Sequence, residues 1–119
     1  MKLALLTISF WMLALVTQAQ DVTNLPKGRY ESIIRNNGKW EKGDIQLVDD
    51  SHYRLGNSEG EYRFSATSQR VFFTSGPLKG VFAKTTTTDN APTILIPLNE
   101  NQQLGLKLAS ADVVALFKN

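Results

Sequence analysis

The chain has 119 residues, 13 of them basic and 11 acidic, with a single histidine and no cysteine. That length suits one domain. The missing cysteines exclude disulfides, thiolate metal sites and a cysteine nucleophile, and the basic residues stand singly, with no run that could follow a phosphate backbone, so nucleic acid is not an expected partner.

Residues 1–19 read as an export signal. Lys2 supplies the positive start, Leu3 to Val16 is almost wholly apolar, and Thr17-Gln18-Ala19 offers small residues three and one positions before a cut. An apolar run of about 14 residues is short of the roughly 20 needed to span a bilayer as a helix. Membrane contact is therefore expected only through this segment before cleavage. Removing Lys2 leaves the basic residues one ahead of the acidic ones. Residues 20–119 then form a single domain, secreted or periplasmic.

Asp21 to Pro26 reads as a short ordered arm or a frayed start. The first strand opens at Gly28-Arg29-Tyr30 and runs to about Arg35, with Tyr30 and Ile34 on one face. Asn36-Asn37-Gly38 is a turn, because Asn and Gly tolerate positive φ. Trp40 follows, then a polar break at Glu41-Lys42-Gly43. Asp44 to Val48 and His52 to Leu55 are the next two strands, turned at Asp49-Asp50-Ser51. Gly56 to Gly60 reads as a loop. In Gly60-Glu61-Tyr62-Arg63-Phe64 and again at Val71 and Phe73, large apolar side chains recur every second residue, the period of a half-buried strand. Ser75-Gly76-Pro77 breaks the ladder, since Pro donates no backbone hydrogen bond.

Lys79 to Thr85 is expected as a sixth strand, with the threonine run to Asn90 either continuing it or looping. Pro92 to Leu98 is the seventh. Asn99-Glu100-Asn101 reads as a turn, and Leu104, Leu106 and Leu108 alternate as an eighth strand over Gln103 to Leu108. From Ser110 the period changes. Val113, Leu116 and Phe117 fall three and four apart behind a capping serine, which favours a short helix, while the two adjacent valines suit a ninth strand.

Four glycines, Gly28, Gly38, Gly60 and Gly80, each precede an aromatic residue by two positions. A glycine at a bend followed by a large inward side chain is what a tightly curved sheet requires. The fold expected is all-β: a small antiparallel up-and-down barrel of about eight strands with a short C-terminal helix or strand. A two-sheet β-sandwich is the alternative.

The succession Tyr53-Arg54-Leu55, Gly60-Glu61-Tyr62-Arg63-Phe64 and Val71-x-Phe73-x-Ser75-Gly76-Pro77-Leu78 resembles a module of many exported bacterial proteins. The resemblance spans roughly Gly28 to Leu98 and implies architecture rather than activity. Where that module has a glycine after the aspartate of its second turn, Ser51 stands here. More distantly the pattern is similar to lipocalin-like barrels, whose interiors often hold apolar ligands, although the spacing from Gly28 to Trp40 does not match the lipocalin Gly-x-Trp opening.

No catalytic motif is present: no Gly-x-Ser-x-Gly, no phosphate-binding glycine loop and no His-Glu-x-x-His. No enzyme activity, cofactor or metal site is expected. His52 beside Asp49 and Asp50 reads as turn capping, because a metal needs three or four converging ligands. Were the barrel open, Trp40, Tyr30, Tyr53, Tyr62, Phe64 and Phe82 would be its ligand-binding side chains. An eight-stranded barrel is just narrow enough for such side chains to fill it, and filling, with Trp40 covering one end, is the preferred expectation. The functional expectation is an exported binding module for a small apolar ligand; the alternative is an envelope or extracellular protein that works through protein contacts.

Overall fold

The computed structural model describes residues 22–118. The export signal expected at residues 1–19 lies outside the described residues. The strands are β1 (Gly28–Ile34), β2 (Gly38–Lys39), β3 (Ile45–Leu47), β4 (His52–Leu55), β5 (Ser58–Ser65), β6 (Arg70–Phe73), β7 (Phe82–Thr88), β8 (Ala91–Ile96) and β9 (Val113–Lys118), with one helix, α1 (Leu98–Gln103), before β9. Every pairing is antiparallel. Neighbours follow in sequence from β3 to β9, and β9 returns to β1, which closes an eight-stranded barrel. β2 is extra: it pairs with the end of β1, at Ile33 with Lys39 and Ile34 with Gly38.

The alternation read from the sequence is the alternation of the wall. Tyr53 and Leu55 on β4, Tyr62 on β5 and Val71 and Phe73 on β6 are buried, and the residues between them are exposed. Tight connections have left-handed residues where they are needed. Asn36 and Asn37 have φ of 80° and 67°, and Asp89 and Asn90 have φ of 51° and 65°; Asn and Asp reach that region most readily among residues with a Cβ. The threonine run is strand as far as Thr88. Gly60 lies inside β5, not in a loop, because the turn after β4 needs only Gly56 and Asn57.

One end of the barrel is closed by the arm before β1. Val22 and Leu25 are buried there. Gln69 holds the arm like a neighbouring strand: its Oε1 accepts the Val22 N–H at 2.8 Å and its Nε2 donates to the Val22 carbonyl at 2.7 Å. The opposite end is closed by the loop from Thr74 to Val81, with Leu78 fully buried, and by α1 with the segment that follows it. Where β1 parts from β3, Asp44 substitutes for the missing ladder by accepting the Ser32 N–H at 3.1 Å.

Two expectations fail in the last third. Gln103 to Leu108 is not a strand. The expected turn at 99–101 is instead the body of α1, and Gly105, at φ 84°, turns the chain after it. Leu104 is 59% exposed, so the leucine alternation does not mark an inner face. The final segment takes the second of its two expected forms, a ninth strand in place of a short helix. β9 inserts between β8 and β1, pairing along its length with β1, and only an extended segment can fill that gap. Val113 and Ala115 point into the core, and Val114 and Leu116 alternate with them on the less buried face.

Candidate functional site

The barrel interior is solid. Tyr30, Tyr53, Ile45 and Ile94 have no exposed surface, and Tyr62 is 2% exposed. Each phenol is also bonded at one rim. Tyr30 donates to the Pro26 carbonyl at 2.7 Å and Tyr62 to the Asp49 carbonyl at 2.6 Å. At the other end the Tyr53 hydroxyl donates to the Ser75 carbonyl and accepts the Leu78 N–H, both at 2.8 Å. Burial raises the pKa of all three phenols, that of Tyr62 to about 12 with help from Asp50 and Asp49. These three tyrosines are walls and plugs of the core.

The other expected ligand residues divide. Phe64 is half-buried and packs on the core. Phe82 faces outward: it stands opposite exposed Phe72, and the Arg70 guanidinium lies 4.9 Å from its ring centre. Only Trp40 borders a large hollow. Phe82 is turned out by register: Val81 and Ala83 take the inward places on either side of it, and strand pleat allows no third.

That hollow is a half-open cleft of about 620 Å³ at the helix end of the barrel, lined by Ile34, Trp40, Glu41, Lys42, Gln102, Lys107, Leu108, Ala109 and Ser110. Trp40 is its deepest residue, 4% exposed, and a turn bonded from the Gly43 N–H to the Trp40 carbonyl holds it there. The indole N–H is buried and has no hydrogen-bond partner among the described residues. Buried polar groups are nearly always paired, so an orphan at a cleft needs a reason.

The facing rim is fixed by two residues that sequence reading missed. Asn101 is buried on α1 and reproduces a strand pairing with one side chain. Its Oδ1 accepts the Phe82 N–H at 2.8 Å, and its Nδ2 donates to the Phe82 carbonyl at 3.0 Å and to the Pro97 carbonyl at 2.6 Å. Its own carbonyl accepts the Leu106 N–H at 2.9 Å, which starts the rim segment. Asp112 accepts the Leu98 N–H at 2.8 Å, tying the start of α1 to the residue before β9. Nothing local distinguishes Asn101 from Asn99; only the β7 backbone beside it does.

The aspartate–histidine group is a turn, as expected. Asp49 Oδ1 accepts the N–H groups of Ser51 and His52 at 2.9 and 2.8 Å, and His52 Nδ1 lies 2.8 Å from it. The Ser51 amide, then His52, hold the Asp49 carboxyl down at about 2, and the same contact raises His52. Asp50 pairs with Lys27 at 2.7 Å. Among the described residues no three His, Asp or Glu side chains are gathered to hold a metal, and no helix is long and apolar enough to cross a membrane. Nothing in them points to an enzyme.

The fold and the cleft together define a small closed β-barrel with a solid interior and one aromatic-floored hollow at its mouth. No protein-family model matches the chain, and no curated protein or solved structure matches it significantly.

Proposed function

We propose that this is an exported, non-enzymatic binding module that takes a small, largely apolar ligand in the end cleft over Trp40, not inside the barrel. The observation that carries the proposal is the cleft itself: about 620 Å³, floored by a deeply buried tryptophan. That volume falls within the roughly 300–1,000 Å³ of small-molecule sites, where apolar walls and a few polar groups are the rule. Ile34, Leu108 and Ala109 supply apolar wall, and Lys42, Gln102, Lys107 and Ser110 supply polar groups. Export rests on the charged start, apolar run and small-residue cleavage pattern of residues 1–19.

Mass spectrometry of the protein purified from its own cells tests both parts. A chain starting at Gln20, with a co-purifying small molecule, is expected. Ser110→Trp fills the cleft from an exposed rim position and should abolish that binding without unfolding the barrel. No bound molecule, and no change in melting temperature across a lipid and metabolite screen, would overturn the reading.

A second reading has its own observation. The solid interior and an outer apolar patch favour a protein that works through protein contacts: Phe72 is 45% exposed and Leu104 59% exposed, and both border a shallow hollow of about 210 Å³ beside Phe82. Cross-linking in intact cells should then capture one dominant partner, lost on Phe72→Ser. Capture unaffected by that change removes this reading.

A further inference from the structure

We infer that the cleft selects an amphipathic anion, with its apolar body over Trp40 and its negatively charged head held by Lys42 and Lys107. This rests on the cleft reading above and adds to it the charge of the ligand. Three charged residues line the cleft, and they are not balanced: Lys42 and Lys107 against Glu41. Among the described residues neither lysine has an ion-pair or hydrogen-bond partner. Lys39 and Lys79 are equally free, but on open surface; Lys42 and Lys107 border a hollow that also has Ile34, Leu108 and Ala109 in its wall.

The two lysines come from separate parts of the chain. Lys42 stands in the turn that holds Trp40, and Lys107 on the segment fixed by Asn101. Their convergence on one hollow is a product of the fold. An anion seated in the cleft meets positive charge from both parts of the chain. Glu41 leaves one net positive charge, which suits a monoanion and disfavours a cationic head. Carboxylate, sulfonate and sulfate heads on a flat or branched apolar body all meet these requirements.

The test uses two dyes with the same ring system, 8-anilinonaphthalene-1-sulfonate, which is anionic, and N-phenyl-1-naphthylamine, which lacks the sulfonate. Affinity is read by fluorescence. Position is read from the Trp40 indole N–H resonance of isotopically labelled protein, assigned through Trp40→Phe. Exposed ion pairs contribute modestly. The Lys42→Gln/Lys107→Gln double variant should therefore weaken the sulfonate about five- to tenfold and leave the neutral dye within about twofold. Rising salt should erase the same difference. If both dyes shift the indole resonance and the double variant binds the sulfonate as well as before, the cleft stands and its anion preference falls. If neither dye, nor any ligand of the wider screen, moves that resonance, the cleft reading falls as well.

Discussion

Gly60 and Gly76 pack backbone to backbone beneath Tyr53. A Cβ on Gly60 would stand 2.8 Å from the Gly76 Cα and 2.7 Å from the Tyr53 ring, and one on Gly76 would stand 2.7 Å from the Gly60 Cα. This contact is the physical content of the glycines in GEYRF and SGPL. It lets the capping loop lie on β5 closely enough for Ser75 and Leu78 to reach the Tyr53 hydroxyl.

Gly60→Ala should therefore cost about 2–3 kcal/mol in urea denaturation, although Gly60 needs no unusual backbone angle, because backbone on both sides has nowhere to move. Gly80→Ala is the contrast. There φ is 80° with nothing near the new methyl, so strain alone acts, about 1 kcal/mol. Equal costs at the two sites would show that the loop simply lifts away.

Asn101→Ala should destabilise by about 2–4 kcal/mol, since it strands the Phe82 N–H and removes the donor to two carbonyls. Asn101→Asp should be at least as harmful, because a carboxylate replaces the donating Nδ2. Neighbouring Gln102→Ala, on the exposed face, should stay within about 0.5 kcal/mol. Hydrogen exchange at the Phe82 and Leu106 amides should rise in the Asn101 variants before the rest of the barrel loosens.

All three tyrosines of the chain lie in the core with raised pKa values. Above pH 10 an unfolded tyrosine releases its proton while the folded one keeps it. Stability is thus fully present below pH 10 and falls as pH rises beyond it. Absorbance at 295 nm should show no tyrosinate until the barrel opens, then all three ionising in one step with the loss of circular dichroism. A gradual titration near pH 10 with the sheet intact would contradict the hydroxyl contacts described.

At the Asp49 turn the two linkages run in opposite directions. The lowered Asp49 contributes stability above its ordinary value of 3.8, lost as pH falls through about 2. The raised His52 contributes below 6.5, lost as pH rises through its folded value. The turn is tightest between those limits. Asp49→Asn should return the His52 imidazole, followed by NMR, to its ordinary range; an unmoved titration would mean that the contact does not form in solution. Both groups are exposed, so global stability should respond weakly.

The first five strands of the barrel wall were legible because they carry their own signal: large inward side chains, aromatic or aliphatic, at every second residue and turn residues between strands. Phe82 was misplaced to the inside because an aromatic after a glycine looks alike on either face; its direction is set by the β6 register. Leu104, Leu106 and Leu108 imitated a strand, but Gly105 and Asn101 make that stretch a strap over the barrel end. The β9 segment imitated a helix because the 113–116–117 spacing fits one, and the need for extended backbone comes from β1, far away in sequence. Trp40 was readable as an end cover. The rest of its cleft was not, since Gln102 and residues 107–110 reach it only through the Asn101 clasp and the Asp112 bond.

The seam between β1 and β9 runs over six residue pairs and joins the two ends of the described chain. Consecutive hairpins can form as they emerge, yet none of them can shut the cylinder. Contacts so distant in sequence are slow to form, because loop-closure entropy must be met before they contribute. Ring closure is thus deferred to the final strand, and a chain halted before Val113 keeps the β1 and β8 edges unsatisfied, open to adopting a strand from another molecule.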